Sequence, residues 1–161
     1  MSDKLDVVGI GNAMVDAIIP SNQSEIEKHE INRDSMNLID ENLKNNLHES
    51  YSIREMAGGG SLGNSMFGIT SFGGNGSFIG KIKNDEVGIF LQKDMVREGL
   101  QFPLGFTSPD ISTGCCTIFV EEDGTRTMCT FLGAGTLIGP DDINDQHIKN
   151  HKIAYLEGCL L

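Results

Sequence analysis

The chain has 161 residues, with 23 acidic and 12 basic side chains giving 11 net negative charges at pH 7. That balance argues against a nucleic-acid or membrane-surface binder, since both lean on an excess of Lys and Arg. At 39% hydrophobic and 22% charged, the composition is that of a globular chain rather than a disordered one, with glycine as the outlier at 20 of 161 residues, concentrated around 58–80.

The first residues, Met1 to Asp6, carry acids and no long apolar run, so neither a secretory signal nor a transmembrane segment fits, and a cytoplasmic location is expected. The four cysteines, Cys115, Cys116, Cys129 and Cys159, contain no Cys-x-x-Cys pair and read as reduced structural thiols.

Leu5 to Gly11 is a short β-branched run stopped by glycines, the pattern of a buried strand feeding a tight turn, with Asn12 and Asp16 just beyond it. The stretch from Pro20 to Ser52 is polar and Asn-rich, with a helix near Asp40–Leu47 and a weaker strand signal around Met36–Ile39. Gly58-Gly59-Gly60-Ser61 then opens a helix whose Leu62, Met66 and Ile69 share one face, ended by Gly73-Gly74. Ser77 to Gly80 reads as a strand, and Asp85 caps a helix with Val87, Phe90, Leu91 and Met95 on its apolar side, closed by Gly99. Strand, helix, strand, helix implies parallel pairing with crossover helices.

Thr113–Val120 and Arg126–Leu132 are β-rich runs joined by a segment whose Asp123-Gly124 signals a hairpin. Gly139-Pro140 with Asp141 and Asp142 is expected to start a helix, and Ile153–Leu161 reads as a last buried strand. A chain stopping on Cys159-Leu160-Leu161 would leave apolar sheet surface uncovered, which reads as a fragment of a larger domain. His147 and His151 lack a third ligand, so no metal site is expected; Met36, Met66 and Met95 read as core filler.

Three glycine patterns compete for a ligand. Gly9-Ile10-Gly11 follows a strand as a dinucleotide fingerprint would, but Met14 stands where the third glycine should be. Gly58 to Ser65 matches a phosphate-binding loop except that Asn64 replaces its lysine. The third reading keeps the close backbone approach that glycine permits and gives it a neutral ligand: Asn64 offers amide donors and an acceptor suited to hydroxyls, and the Asp16 carboxylate can accept from vicinal hydroxyls. Against it stands the alternative that Asp16 caps a turn and Gly58–Gly60 only permit tight packing.

The segments Val7–Asp16, Gly58–Asn64, Ser71–Gly74, Phe78–Lys81, Asp123–Met128 and Tyr155–Gly158 together resemble the N-terminal part of the ribokinase-like (PfkB) family of carbohydrate kinases, and most closely its adenosine-kinase-like branch. The resemblance implies an α/β fold, a mostly parallel sheet flanked by helices with a small β lid, incomplete here, with residues 1–161 forming part of one kinase domain and lid segments near 17–40 and 113–132. It implies transfer of the γ-phosphoryl group of ATP, with Mg2+, to a primary hydroxyl of adenosine or a sugar, the sites for both cofactors lying mostly outside this chain.

By the same resemblance Asn12, Asp16 and Asn64, with the backbone at Gly59 and Gly60, would hold the acceptor, Cys115 and Thr117 would face its base, and Arg126 would reach the phosphate region. The bland alternative for Arg126 is a solvated side chain beside a hairpin turn. The family's Asp-Thr-x-Gly-Ala-Gly-Asp motif, which carries the general base, does not occur here; Gly133-Ala134-Gly135 lacks its acids. The expected partners are therefore a small sugar or nucleoside, the C-terminal remainder of the kinase, and a second copy paired through the lid, with the chain alone inactive. A kinase of ribose or fructose, and a non-catalytic sugar- or nucleoside-binding module, remain as alternatives.

Overall fold

A computed structural model describes residues 4–103, 105–108 and 110–158; Cys159 and the end of the expected last strand lie outside the described residues. Two sheets organise the chain. Strands β1 (Leu5–Ile10), β5 (Gly76–Ile79) and β10 (His151–Leu156) form a three-stranded sheet in the order β10-β1-β5, parallel throughout. Strands β2 (Met14–Pro20), β3 (Met36–Leu38), β4 (Glu55–Gly59), β8 (Gly114–Val120) and β9 (Arg126–Phe131) form a five-stranded sheet in the order β3-β9-β8-β2-β4. A two-stranded pair, β6 (Ile82–Lys83) and β7 (Phe106–Ser108), completes the strands among the described residues.

Helices α3 (Ser61–Ser71) and α4 (Glu86–Arg97) form the larger core with β1, β2, β5 and β6: Leu62, Met66, Leu91 and Met95 pack with Val7, Val15, Phe78 and Ile82. Close approach of α3 to β1 explains Gly9, where a Cβ would come within 2.9 Å of the Met66 sulfur. These glycines therefore serve packing, and a strand rather than a helix follows them, so the dinucleotide reading falls. Helix α3 ends as expected, with Gly73 at φ 84° and the Gly74 N–H donating to the Ile69 carbonyl at 3.0 Å.

The second core lies under one face of the five-stranded sheet, where α1 (Gln23–Glu27) and α2 (Glu41–Ser50) bring Ile26 and Leu47 onto Ile19, Phe119 and Cys129. The 113–132 hairpin forms with its turn at Gly124, φ 86°.

Five sequence expectations change. Residues 14–20 form a full strand, which places Asp16 inside β2 rather than in a loop beyond the first strand. Gly58 and Gly59 end strand β4 instead of opening a helix, and Gly60 at φ 78° is the cap of α3. Pro140 starts only a single 3-10 turn, Pro140–Asp142, followed by the five-residue α5, Asp145–Lys149. Met36 is 56% exposed rather than core. Strand β10 forms, but Ile153, Tyr155 and Leu156 on it are exposed rather than buried.

Candidate active site: a carboxylate over a glycine strand end

The five-stranded sheet has two unlike faces, and strand periodicity decides which residues share each. In β2, Val15, Ala17 and Ile19 are buried while Asp16, Ile18 and Pro20 face the open side. Pairing sets Asp16 beside Ala57 of β4 and Cys116 of β8, and Cys116 beside Thr130 of β9. The open face thus runs from Asp16 through Ile18, Ile118 and Met128 to the exposed Met36 and Leu38.

Asp16 lies directly over the glycine segment. A Cβ at Gly59 would fall 2.2 Å from the Asp16 carboxyl carbon, so only glycine leaves the carboxylate its place. The Gly60 N–H donates to that carboxylate, and the positive φ of Gly60 turns the chain from β4 into α3. Burial pushes the Asp16 pKa up, with the Gly60 hydrogen bond as the opposing, smaller effect. An ionised carboxylate has about four acceptor positions, so capacity is left to receive hydroxyl donors arriving from the open side.

Asn12 sits in the β1–β2 turn with its N–H donating to Glu157 Oε2 at 2.8 Å. Its side-chain Oδ1 is buried without a hydrogen-bond partner, 2.7 Å from where a Cβ at Gly135 would stand. Asn64 is exposed one turn into α3, its N–H bonded to the Gly60 carbonyl at 2.9 Å. The structure therefore gathers Asn12, Asp16, Gly59, Gly60 and Asn64 around the junction of β2, β4 and α3.

Glu157 is a member of this junction that residue type and spacing did not mark. It follows β10, is 8% exposed, and receives Ser61 Oγ at 2.5 Å and Leu62 N–H at 3.3 Å as well as Asn12. A single acid directly after the apolar end of the strand, Ile153–Leu156, was the signal available. Its position also tests the phosphate reading: the first turn of α3, where a phosphate loop offers its amides, is already bonded to a carboxylate. A second anion there would meet like charge, so ATP phosphates do not fit the α3 N-terminus. No group of three or more His, Cys, Asp or Glu that could hold a metal occurs among the described residues, so no step is assigned here to Mg2+.

Cys115 and Thr117 are not brought to Asp16. They point to the covered face, where Thr117 Oγ1 pairs with His48 Nε2 at 2.9 Å and the Cys115 sulfur lies 3.9 Å from the same nitrogen. Burial pushes the Cys115 thiol up to about 12, and Cys116 up to about 11, values that keep both protonated. Arg126 starts β9 on the same face as Asp16, exposed, four residues along the strand from the Cys116–Thr130 pair, or roughly 13 Å at strand rise. His147 and His151 turn inward onto one hydroxyl, each Nε2 lying 2.9 Å from Ser77 Oγ.

Comparison with known proteins agrees with this architecture. Residues 5–161 match the pfkB family carbohydrate kinases. Among solved structures, the chain is 36% identical to adenosine kinase from Sinorhizobium meliloti, covering 98% of this chain and 48% of that one at a TM-score of 0.87. It is 32% identical to a probable sugar kinase from Rhizobium etli, with 98% and 48% covered and a TM-score of 0.86. Probable fructokinase-4 of Arabidopsis thaliana is 29% identical over 60% of this chain and 30% of its own length. The chain thus spans about half the length of the solved kinases it resembles, and with a family match that runs almost end to end, it belongs to the pfkB family of carbohydrate kinases.

Proposed function

We propose that this chain is the acceptor-binding part of a longer kinase that moves the γ-phosphoryl group of ATP to a primary hydroxyl of a ribonucleoside, with adenosine as the favoured acceptor. The observation that carries this reading is the Asp16 carboxylate seated over Gly59 and bonded by Gly60, with free acceptor positions toward an open face. Such a group binds vicinal hydroxyls with charge-assisted bonds. Asn64 and the Gly59 and Gly60 backbone complete the ribose site, and Asn12 lines its floor.

The sheet carrying β2, β3, β8 and β9 acts as the lid, and its open side supports a nucleoside over a bare sugar. Ile18, Ile118, Met128, Met36 and Leu38 form an apolar run beside Asp16, a wall that a purine ring uses and a ribose or fructose ring does not. Arg126 supplies a cation on the same face. If the protein dimerises, the exposed β3 edge is where a second copy pairs. A general base, ATP and Mg2+ belong to the remainder of the kinase, so residues 1–161 alone are expected to be inactive.

A plain sugar acceptor is the second reading, supported by the similarity to the probable fructokinases. Calorimetric titration of the complete kinase with adenosine, ribose and fructose separates the two. Heat with adenosine at the lowest concentration supports the nucleoside reading, and heat with ribose or fructose alone overturns it.

A further inference from the structure

The glycine segment is held from two sides by carboxylates, and only one belongs to the proposed ribose site. Among the described residues β4 is an edge strand, paired on one side with β2 and carrying no strand on the other. An N–H on such an edge is left for solvent or a side chain. At Gly58 the partner is Asp94 of α4, whose Oδ2 accepts the Gly58 N–H at 2.8 Å while the residue is 5% exposed. The fit is close: a Cβ on Gly58 would come within 2.7 Å of the Phe67 ring and 2.9 Å of Asp94 Oδ2. The other Asp94 oxygen pairs with Arg97, an exposed side chain one turn on.

Helix α4 belongs to the main core through Leu91 and Met95, and β4, in the sheet that carries Asp16, packs Met56 against the same core. Asp94 adds to that apolar contact a polar tie from α4 to the glycine segment, one residue before the glycine on which Asp16 rests. Resting on the acceptor-site reading above, we infer that Asp94 is a positioning residue for phosphoryl transfer: by fixing the Gly58 amide it sets where the Gly59 and Gly60 backbone stands against Asp16 and the acceptor. It touches no reacting atom. Without it, a buried N–H loses its acceptor, and the segment can shift to find another. A shift of about 1 Å at a positioning group is enough to cost on the order of 100-fold.

The test uses initial rates of the complete kinase with adenosine and ATP varied separately. Asp94→Ala is expected to raise the KM for adenosine at least tenfold with the KM for ATP within twofold. Asp94→Asn keeps an acceptor oxygen and is expected to stay within about threefold of wild type, and Arg97→Ala, which removes only the exposed ion pair, within twofold. An unchanged adenosine KM in Asp94→Ala, or an equal loss in Asp94→Asn and Asp94→Ala, overturns the inference.

If Asp94→Ala does not fold, Asp94→Leu, which fills the buried site and carries no acceptor, takes its place. An adenosine KM raised at least tenfold with the ATP KM within twofold supports the inference, and an unchanged adenosine KM overturns it. Asp16→Asn separates the layers. If it abolishes adenosine use while Asp94→Ala does nothing, only the positioning role fails; if it too has no effect, the acceptor site itself is misplaced.

Discussion

Replacing Gly59 by alanine perturbs the proposed site with a single carbon. The new Cβ would stand 2.2 Å from Asp16 Cγ, 2.3 Å from Oδ1 and 2.5 Å from Oδ2, against a contact distance of roughly 3.5–4 Å between such atoms. The carboxylate must withdraw by about 1 Å or more, which is further than its hydrogen bond from Gly60 can stretch. A hydrogen bond to a charged acceptor contributes about 1.5–3 kcal/mol, so each such bond lost, whether to Gly60 or to an acceptor hydroxyl, weakens adenosine binding by roughly 10- to 150-fold. Gly59 does not have a positive φ, so alanine is tolerated by the backbone and the variant is expected to fold. Calorimetric titration of Gly59→Ala with adenosine, beside a circular dichroism melt, reads both quantities. A folded variant that binds adenosine within twofold of wild type would refute the placement of Asp16.

Other outcomes follow from the same geometry. Gly68 lies inside α3, and nothing stands within 4 Å of the position an added methyl would take, so Gly68→Ala should stabilise the protein by about 0.5–1 kcal/mol, read as a higher melting temperature with adenosine affinity unchanged; a lower one would contradict the open space there. Burial first, and Lys44 second, hold the His48 pKa below its ordinary value. The unfolded chain therefore takes up a proton near pH 6.5 before the folded one does, and stability falls as pH drops below about 7. Urea midpoints at pH 7.5 and 5.5 should fall less in His48→Gln than in wild type, and equal falls would remove His48 from the pH response.

Much of the fold was legible because its signals are local. Asp40 and Asp85 accept the amides of Leu43 and Gly88 as helix caps, Gly73 and Gly99 close α3 and α4 at positive φ, and Asp123-Gly124 turned the hairpin. Strand β4 was missed for a different reason. Glu55-Met-Ala-Gly-Gly has no β-branched residue, and its strand form is imposed by pairing with β2 and by the Asp94 bond to Gly58, which are long-range contacts that override propensity.

The candidate site divides in the same way. Asp16, Asn64 and the Gly58–Gly60 run stand out by residue type and spacing, and the parts of Gly59 and Gly60 by the family resemblance. Whether Cys115 or Cys116 shares the face of Asp16 depends on the β2–β8 register, and a slip of one residue would exchange them. Register is written in the tertiary pairing, so residue type could not show that Cys115 and Thr117, expected to face the acceptor's base, lie on the face of the sheet opposite Asp16. Glu157 and Asp94 likewise become visible only once α3, α4 and β10 are assembled around the glycine segment.

The central claim is that Asp16 holds the acceptor, and its most direct test is the affinity of Asp16→Ala for adenosine in the complete kinase. Loss of the carboxylate should weaken adenosine binding by about 1.5–3 kcal/mol for each hydroxyl bond it makes, with ATP binding unchanged. Adenosine affinity equal to wild type in a folded Asp16→Ala protein would contradict it.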